Sequence, residues 1–285
     1  MQINLDNKSE DTYIIHLDEN NYIKFCPERG GLITDWVCDS EPILYFDKSR
    51  FLDKTKSIRG GIPILFPICG NLNTNESIFG KDLESLPQHG FARNLRWEYE
   101  HNKNRDCLTF LLEENLTTKK YYPYEFAVKI DVILGIHNLD LEITIKNKSN
   151  KFMPINFGLH PYFNISDFKN ISFSDYPLIC QNQSNNTLEK TLGLLPNIDQ
   201  GIDMLVYSSG QSSFRDYGLH REITVSHPFP FDINVIWSDP PRKMVCMEPW
   251  TSPRNSLKEG FRRIEIPPCA LQRLFTSINI KKFLH

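Results

Sequence analysis

Leu139-Asp140-Leu141-Glu142-Ile143-Thr144-Ile145-Lys146 alternates apolar and polar residues at every step. A period of two is the mark of a strand with one buried and one wet face. Phe126-Ala127-Val128-Lys129-Ile130-Asp131-Val132 repeats the pattern just upstream, and the connection contains Gly135 and Asn138. The two segments therefore read as antiparallel neighbours. Working outward, further strand candidates lie at 21–26, 31–37, 95–100, 107–113, 221–226, 231–237, 243–247, 261–266 and 270–277. Many are rich in the β-branched and aromatic residues that suit a pleated surface. No stretch keeps apolar residues at i, i+3, i+4 and i+7 for three turns, and 18 prolines and 14 glycines punctuate the chain. Many short strands with little helix predict an all-β antiparallel sandwich or barrel. Neither a repeat nor a linker divides it, so a single domain over 1–285 is expected. The polar, Asn-rich Gln181–Gln200 is expected to be a long surface loop, and 38–58 a second irregular excursion.

Composition narrows the function. Of 285 residues, 40% are hydrophobic and 24% charged, which excludes a disordered or fibrous chain. Lys and Arg number 32 against 35 Asp and Glu, a formal net charge of -3. No nucleic-acid partner is expected without basic excess, although a local anion site remains open. The N-terminus lacks a basic segment followed by an apolar one, and no apolar run approaches the ~20 residues that cross a bilayer. A cytoplasmic protein with no membrane partner is expected. Seven cysteines, none in a CxxC pair, suit scattered reduced thiols better than disulfides or a zinc site.

Four segments break the strand pattern with chemistry-bearing residues. Arg59-Gly60-Gly61-Ile62-Pro63-Ile64-Leu65-Phe66-Pro67 joins a guanidinium suited to bidentate anion contact to a Gly pair that lets backbone approach a ligand. It also reads as a tight turn with a solvated Arg. Leu86-Pro87-Gln88-His89-Gly90-Phe91-Ala92-Arg93 sets an amide, an imidazole and a guanidinium around a Gly. Such a loop holds hydroxyls and an anion, or is a surface turn. In Asn156-Phe157-Gly158-Leu159-His160-Pro161-Tyr162-Phe163, apolar neighbours bury His160 at a strand end. A desolvated His near neutrality donates and accepts protons; a core His satisfied by a carbonyl is the plainer alternative. Met244-Val245-Cys246-Met247-Glu248-Pro249-Trp250-Thr251-Ser252-Pro253-Arg254-Asn255 runs an apolar strand into a carboxylate. Glu is seldom buried without a partner, so Glu248 is either a base with a raised pKa or half of an ion pair, for instance with Arg254. Trp250 offers a face on which a sugar can stack. An activated Ser or Cys nucleophile, a Walker loop, GxGxxG and tight metal spacing are all missing.

In order and separation, RGGIPILFP (59–67), LPQHGFAR (86–93), FGLHPYF (157–163) and MEPWTSPRN (247–255) resemble the galactose mutarotase-like superfamily, in its hexose-6-phosphate 1-epimerase branch of the aldose 1-epimerases. The resemblance implies a single-domain β-supersandwich with the substrate on one curved sheet face. It implies Glu248 as catalytic base and His160 as acid, Arg59 and Arg93 on the phosphate, and Gln88 and His89 on the sugar. Asp203 fits the family's acidic sugar-binding position, and Lys81 is a further candidate for the phosphate. The implied reaction interconverts the α and β anomers of a hexose 6-phosphate such as glucose 6-phosphate. A base takes the C1 hydroxyl proton while an acid protonates the ring oxygen, with no cofactor or metal. The base is then ionised and the acid protonated, the anionic Glu lifting the His pKa. A small-molecule sugar is the expected partner and a monomer the expected unit. Two rivals stand beside this: a sugar-binding or regulatory module on the same fold, and a carbohydrate hydrolase or lyase. A hydrolase usually needs two opposed carboxylates.

Overall fold

The structure, a computed structural model, describes residues 3–5, 11–174, 176–208 and 210–283. The alternating segment lies inside Asn138–Asn147, paired antiparallel with Phe126–Leu134 on one side and Leu271–Lys282 on the other. Leu139, Leu141, Ile143 and Ile145 are buried, while the polar residues between them face outward. These strands are central to an eight-stranded sheet ordered Ile171–Ser174, Gln211–Asp216, Arg221–Ser226, Leu271–Lys282, Asn138–Asn147, Phe126–Leu134, Cys107–Glu113, Glu98–Asn102.

A second sheet of eight strands carries the chemistry. It runs Thr187–Lys190, Ile179–Asn182, Asp203–Tyr207, Ile233–Trp237, Met244–Trp250, Gly158–Leu159, Ile64–Leu65, and Tyr162–Asn164 also pairs with Met244–Trp250. One continuous core fills the molecule and draws on both large sheets. A smaller five-stranded sheet from Ile3–Leu5 to Glu41–Pro42 packs onto it, and Met153–Ile155 pairs with Ile264–Ile266. Every paired strand is antiparallel, and the helices are single turns such as Lys48–Leu52 and Ser256–Glu259. The all-β antiparallel expectation is met. Among the described residues no helix is long and apolar enough to cross a membrane.

Three local expectations are corrected. Gln181–Gln200 is no loop: Ile179–Asn182 and Thr187–Lys190 form a hairpin at the edge of the second sheet, followed by the helical turns Thr191–Leu194 and Leu195–Gln200. The outer strand, Thr187–Lys190, buries none of its residues, so its sequence shows no apolar alternation; Leu188 and Leu192 are exposed, while Cys180 on the inner strand is buried. The strand expected over 95–100 begins at Glu98, because Trp97 turns inward and gives its indole N–H to Ala92 O at 2.9 Å. The irregular 38–58 stretch contains the helical turn Lys48–Leu52, capped by Asp47 Oδ1 on the Arg50 N–H at 3.1 Å.

Candidate active site

In Met244–Trp250 every residue is buried, but the two faces differ. Val245 and Met247 point into the main core. Cys246, Glu248 and Trp250 point the other way, as a period of two requires. Glu248 is 2% exposed. The neighbouring segment meets this strand twice, with Gly158 opposite Trp250 and Tyr162 opposite Cys246. His160, midway between, therefore stands across from Glu248. The geometry agrees: His160 Nε2 lies 3.3 Å from Glu248 Oε1. Pro161 interrupts the ladder, yet His160 stays anchored by its N–H to Pro63 O at 3.0 Å.

Each partner has a support. Trp250 Nε1 donates to Glu248 Oε2 at 3.1 Å. The Tyr162 ring stacks on the His160 ring with centroids 4.6 Å apart and planes 7° apart. Trp250 is thus a buried hydrogen-bond donor, 1% exposed, and offers no open stacking face. The more open indole on the same cavity is Trp237.

Burial pushes the Glu248 carboxyl well above the usual range, helped by nearby Asp203 and opposed by Trp250, Arg254 and Arg93. Burial, with Arg93 and Arg59 nearby, holds His160 well below the usual imidazole value. The expected lifting of His160 by an anionic Glu248 is not found, because desolvation favours the neutral form of each group. The pair is best described as one labile proton shared between Oε1 and Nε2.

The Gln88-His89-Gly90 turn reaches the same place. His89 sits in the left-handed region at φ 64° and is 6% exposed. Its backbone N–H donates to Gly70 O at 2.6 Å, and the Gly70 N–H donates back to its Nδ1 at 3.1 Å. That return bond makes Nδ1 an acceptor, so the ring proton sits on Nε2. Gly90 is required because a Cβ there would stand 2.0 Å from Phe66 O.

Arg59, Gln88, His89, Arg93, His160, Asp203 and Glu248 all line one cavity of about 180 Å³. Arg59 lies over the Trp237 ring, its guanidinium carbon 5.2 Å from the centroid, with Nε 3.4 Å from Asp239 Oδ2. Arg93 Nη2 donates to Gln88 O at 2.9 Å, and its Nε is buried without a partner. Lys81 is exposed and does not line this cavity. Arg254 does line it, but pairs with Asp203 at 2.6 Å rather than with Glu248. Sequence reading quoted Arg254 without giving it a place in the site. It also missed Tyr162 and Trp237 in the cavity wall, and Gln183, which holds Asp203 Oδ1 at 2.7 Å. The HPYF and PRN stretches carried a signal for Tyr162 and Arg254; nothing in the Asn-rich hairpin marks Gln183.

Two groups of metal-type donors occur among the described residues, His160–Cys246–Glu248 and Cys38–Asp39–His137. At the first, Arg59, Arg93 and Arg254 share the cavity and repel a cation, and burial keeps the Cys246 thiol protonated. At the second, Lys282 Nζ already stands 3.3 Å from Asp39 Oδ2. The first arrangement suits proton transfer instead: an acid and a base side by side can serve two oxygens on one carbon.

The chain is 27% identical over 226 residues to an Escherichia coli K12 protein provisionally named glucose-6-phosphate 1-epimerase, covering 77% of this chain and 71% of that one. The Slr1438 protein of Synechocystis sp. PCC 6803 superposes with a TM-score of 0.89 at 32% identity, over 95% of this chain and 96% of the other. A galactose mutarotase related enzyme from Lactobacillus acidophilus gives 0.77 at 21%, over 95% and 97%. The aldose 1-epimerase family model matches residues 13–271, and the chain belongs to that family.

Proposed function

We propose that this protein interconverts the α and β anomers of a hexose 6-phosphate, glucose 6-phosphate first among them, with Glu248 as base and His160 as acid. The 3.3 Å approach of His160 Nε2 to Glu248 Oε1 at the cavity wall carries this reading. In the working form the shared proton sits on His160. Glu248 takes the proton of the C1 hydroxyl, C1–O1 becomes a carbonyl, and the C1–O5 bond breaks. The released ring oxygen takes the proton from His160. The aldehyde turns about C1–C2, and closure reverses both transfers: O5 returns its proton to His160 while O1 recovers one from Glu248. Both residues end as they began, so the cycle needs no second substrate. Each proton transfer contributes about 10²–10⁴-fold.

Gln88, His89 through its Nε2 proton, and Asp203 supply hydrogen-bonding groups for the sugar hydroxyls. Arg59 and Arg93 supply guanidinium groups for the phosphate. The provisional names of the Escherichia coli and Salmonella typhimurium relatives support the phosphosugar, each at 27% identity. A single domain working as a monomer in the cytoplasm is part of the same proposal. The hydrolase alternative is disfavoured because both oxygens of Asp203 are engaged by Arg254 and Gln183, leaving no free second carboxylate in the cavity.

Exchange NMR of glucose 6-phosphate at anomeric equilibrium tests the proposal, with unphosphorylated glucose alongside. Acceleration mainly of the phosphosugar is the expected result. Equal acceleration of both would discard the phosphate preference. No acceleration of either, or of galactose and mannose and their 6-phosphates, would leave a binding module.

A further inference from the structure

Arg254 faces the cavity, yet the proton transfers between sugar, Glu248 and His160 give it no task. Its place is well determined. Nη2 donates to Asp203 Oδ2 at 2.6 Å, and Nη1 reaches Asn71 Oδ1 at 3.5 Å. Its methylenes lie against Gly70, where a Cβ would stand 2.4 Å from Arg254 Cγ. Any residue larger than Gly at 70 would push the side chain off this track. At its tip, Asp203 completes a clamp with Gln183 Nε2, which donates to Oδ1 at 2.7 Å.

Asp203 lies on the same sheet as Glu248. Asp203 pairs across to Trp237, and Trp237 pairs across to Cys246, two residues before Glu248 on the same face. The cavity therefore contains two carboxylates, one of which must ionise to act as base. A negative Asp203 opposes that ionisation, since like charges sharing a desolvated site resist being charged together. The other guanidinium groups of the cavity make their contacts elsewhere, Arg59 at Asp239 and Trp237, Arg93 at the Gln88 carbonyl.

We propose that Arg254 is a positioning residue for the base: by pairing with Asp203 it cancels the one negative charge that competes with Glu248, so Asp203 serves as an ionised hydroxyl acceptor without holding Glu248 protonated. This rests on the anomer-exchange reading of the site. The groups facing Glu248 are His160 and Tyr162 from the adjoining segment, Cys246 and Trp250 from its own strand, Asp203 from Asp203–Tyr207, and the loop residues Arg59, Cys69, His89, Arg93 and Arg254. Beyond burial, Asp203 is the group that raises Glu248 most, and Arg254 is among those that lower it. At Asp203 itself burial raises the pKa, and Arg254 opposes this most.

Charge balance makes the test specific. The acid-side limb of the kcat/KM–pH profile for glucose 6-phosphate should follow the net charge at positions 203 and 254. Arg254→Gln leaves a net negative pair, and the limb should move up by about one pH unit, an approximately tenfold loss of rate below it. Asp203→Asn leaves a net positive pair and should move the limb down. Asp203→Asn with Arg254→Gln restores neutrality and should return the limb to its wild-type position, whatever the loss in the plateau. Arg254→Lys should hold the limb in place. A uniform loss in Arg254→Gln with an unmoved limb would reduce Arg254 to a structural or substrate contact and overturn the inference. If Arg254→Gln does not fold, Asp203→Asn decides alone, and an unmoved limb there overturns the inference equally. A wild type without anomer exchange would defeat the underlying reading; exchange with an immobile limb would defeat only this one.

Discussion

Trp250 gives its indole N–H to Glu248 Oε2 at 3.1 Å, two residues along one strand, while His160 approaches Oε1 from the next. The Glu248 carboxyl is thus held on both oxygens. The indole bond favours the ionised carboxylate and opposes its burial. Trp250→Phe keeps most of the ring and removes the donor. Glu248 then rises further, so the acid limb of kcat/KM moves to higher pH. The plateau should fall roughly 10- to 100-fold, the worth of a hydrogen bond to a charged group. A steady-state pH profile at fixed phosphosugar concentration checks both.

Glu248→Gln and His160→Ala should each lower the exchange rate by about 10²–10⁴-fold. The fold should survive. Glu248→Gln also removes a buried ionisable group, so its thermal midpoint at neutral pH should match or exceed the wild type. Exchange NMR and a thermal melt on the same samples separate lost chemistry from lost structure. A wild-type rate in either variant removes that residue from the mechanism.

Arg93→Ala should raise KM for the phosphosugar about tenfold or more and leave the unphosphorylated sugar nearly unchanged. Because Arg93 also influences Glu248, the comparison is the ratio between the two sugars in one variant, which cancels any change in the base. An unchanged ratio would rule out its phosphate role.

His89 is held neutral by burial, well below the ordinary histidine value, whereas His160 shares its one proton with Glu248 and adds no net uptake in this window. As pH falls through about 6.5, the unfolded chain takes up at His89 a proton that the folded ring refuses. Stability then depends on pH with the sign set by that uptake: it is lost as pH falls and regained as it rises. Urea midpoints between about pH 7 and 5 should drop more steeply for wild type than for His89→Gln, which has one fewer such ring. Parallel slopes would show that His89 protonates freely in the fold.

Legibility in the sequence followed burial. Leu139–Lys146 displayed its strand because one face is dry, and Met244–Trp250 displayed its carboxylate because the surrounding run is apolar. His160 and Glu248 stood out as polar residues in apolar company. The Thr187–Lys190 edge strand was invisible because water covers both its faces, and Gln183 beside it looked like any other polar residue of an Asn-rich hairpin. Partner choice was equally hidden: whether Arg254 meets Glu248 or Asp203 depends on the crossing of separate strands, not on spacing along the chain. The free energy of the buried pair also escaped reading, since a nearby carboxylate and desolvation act on His160 in opposite directions and only burial decides the winner.

The proposed acid and base face each other across a gap in the ladder, between the Gly158–Trp250 and Tyr162–Cys246 pairings, whereas Arg59, Gln88 and Arg93 stand on connections outside it. The two flanking pairings hold the segments that carry them in register. The connections tolerate replacement far better than paired strands do. Spacing and selectivity thus rest on different parts of the chain: substitutions at Gln88 should change which reducing sugar is held while leaving the His160–Glu248 approach in place, whereas His89, Arg59 and Arg93, which touch or bias that pair, cannot be exchanged without altering it.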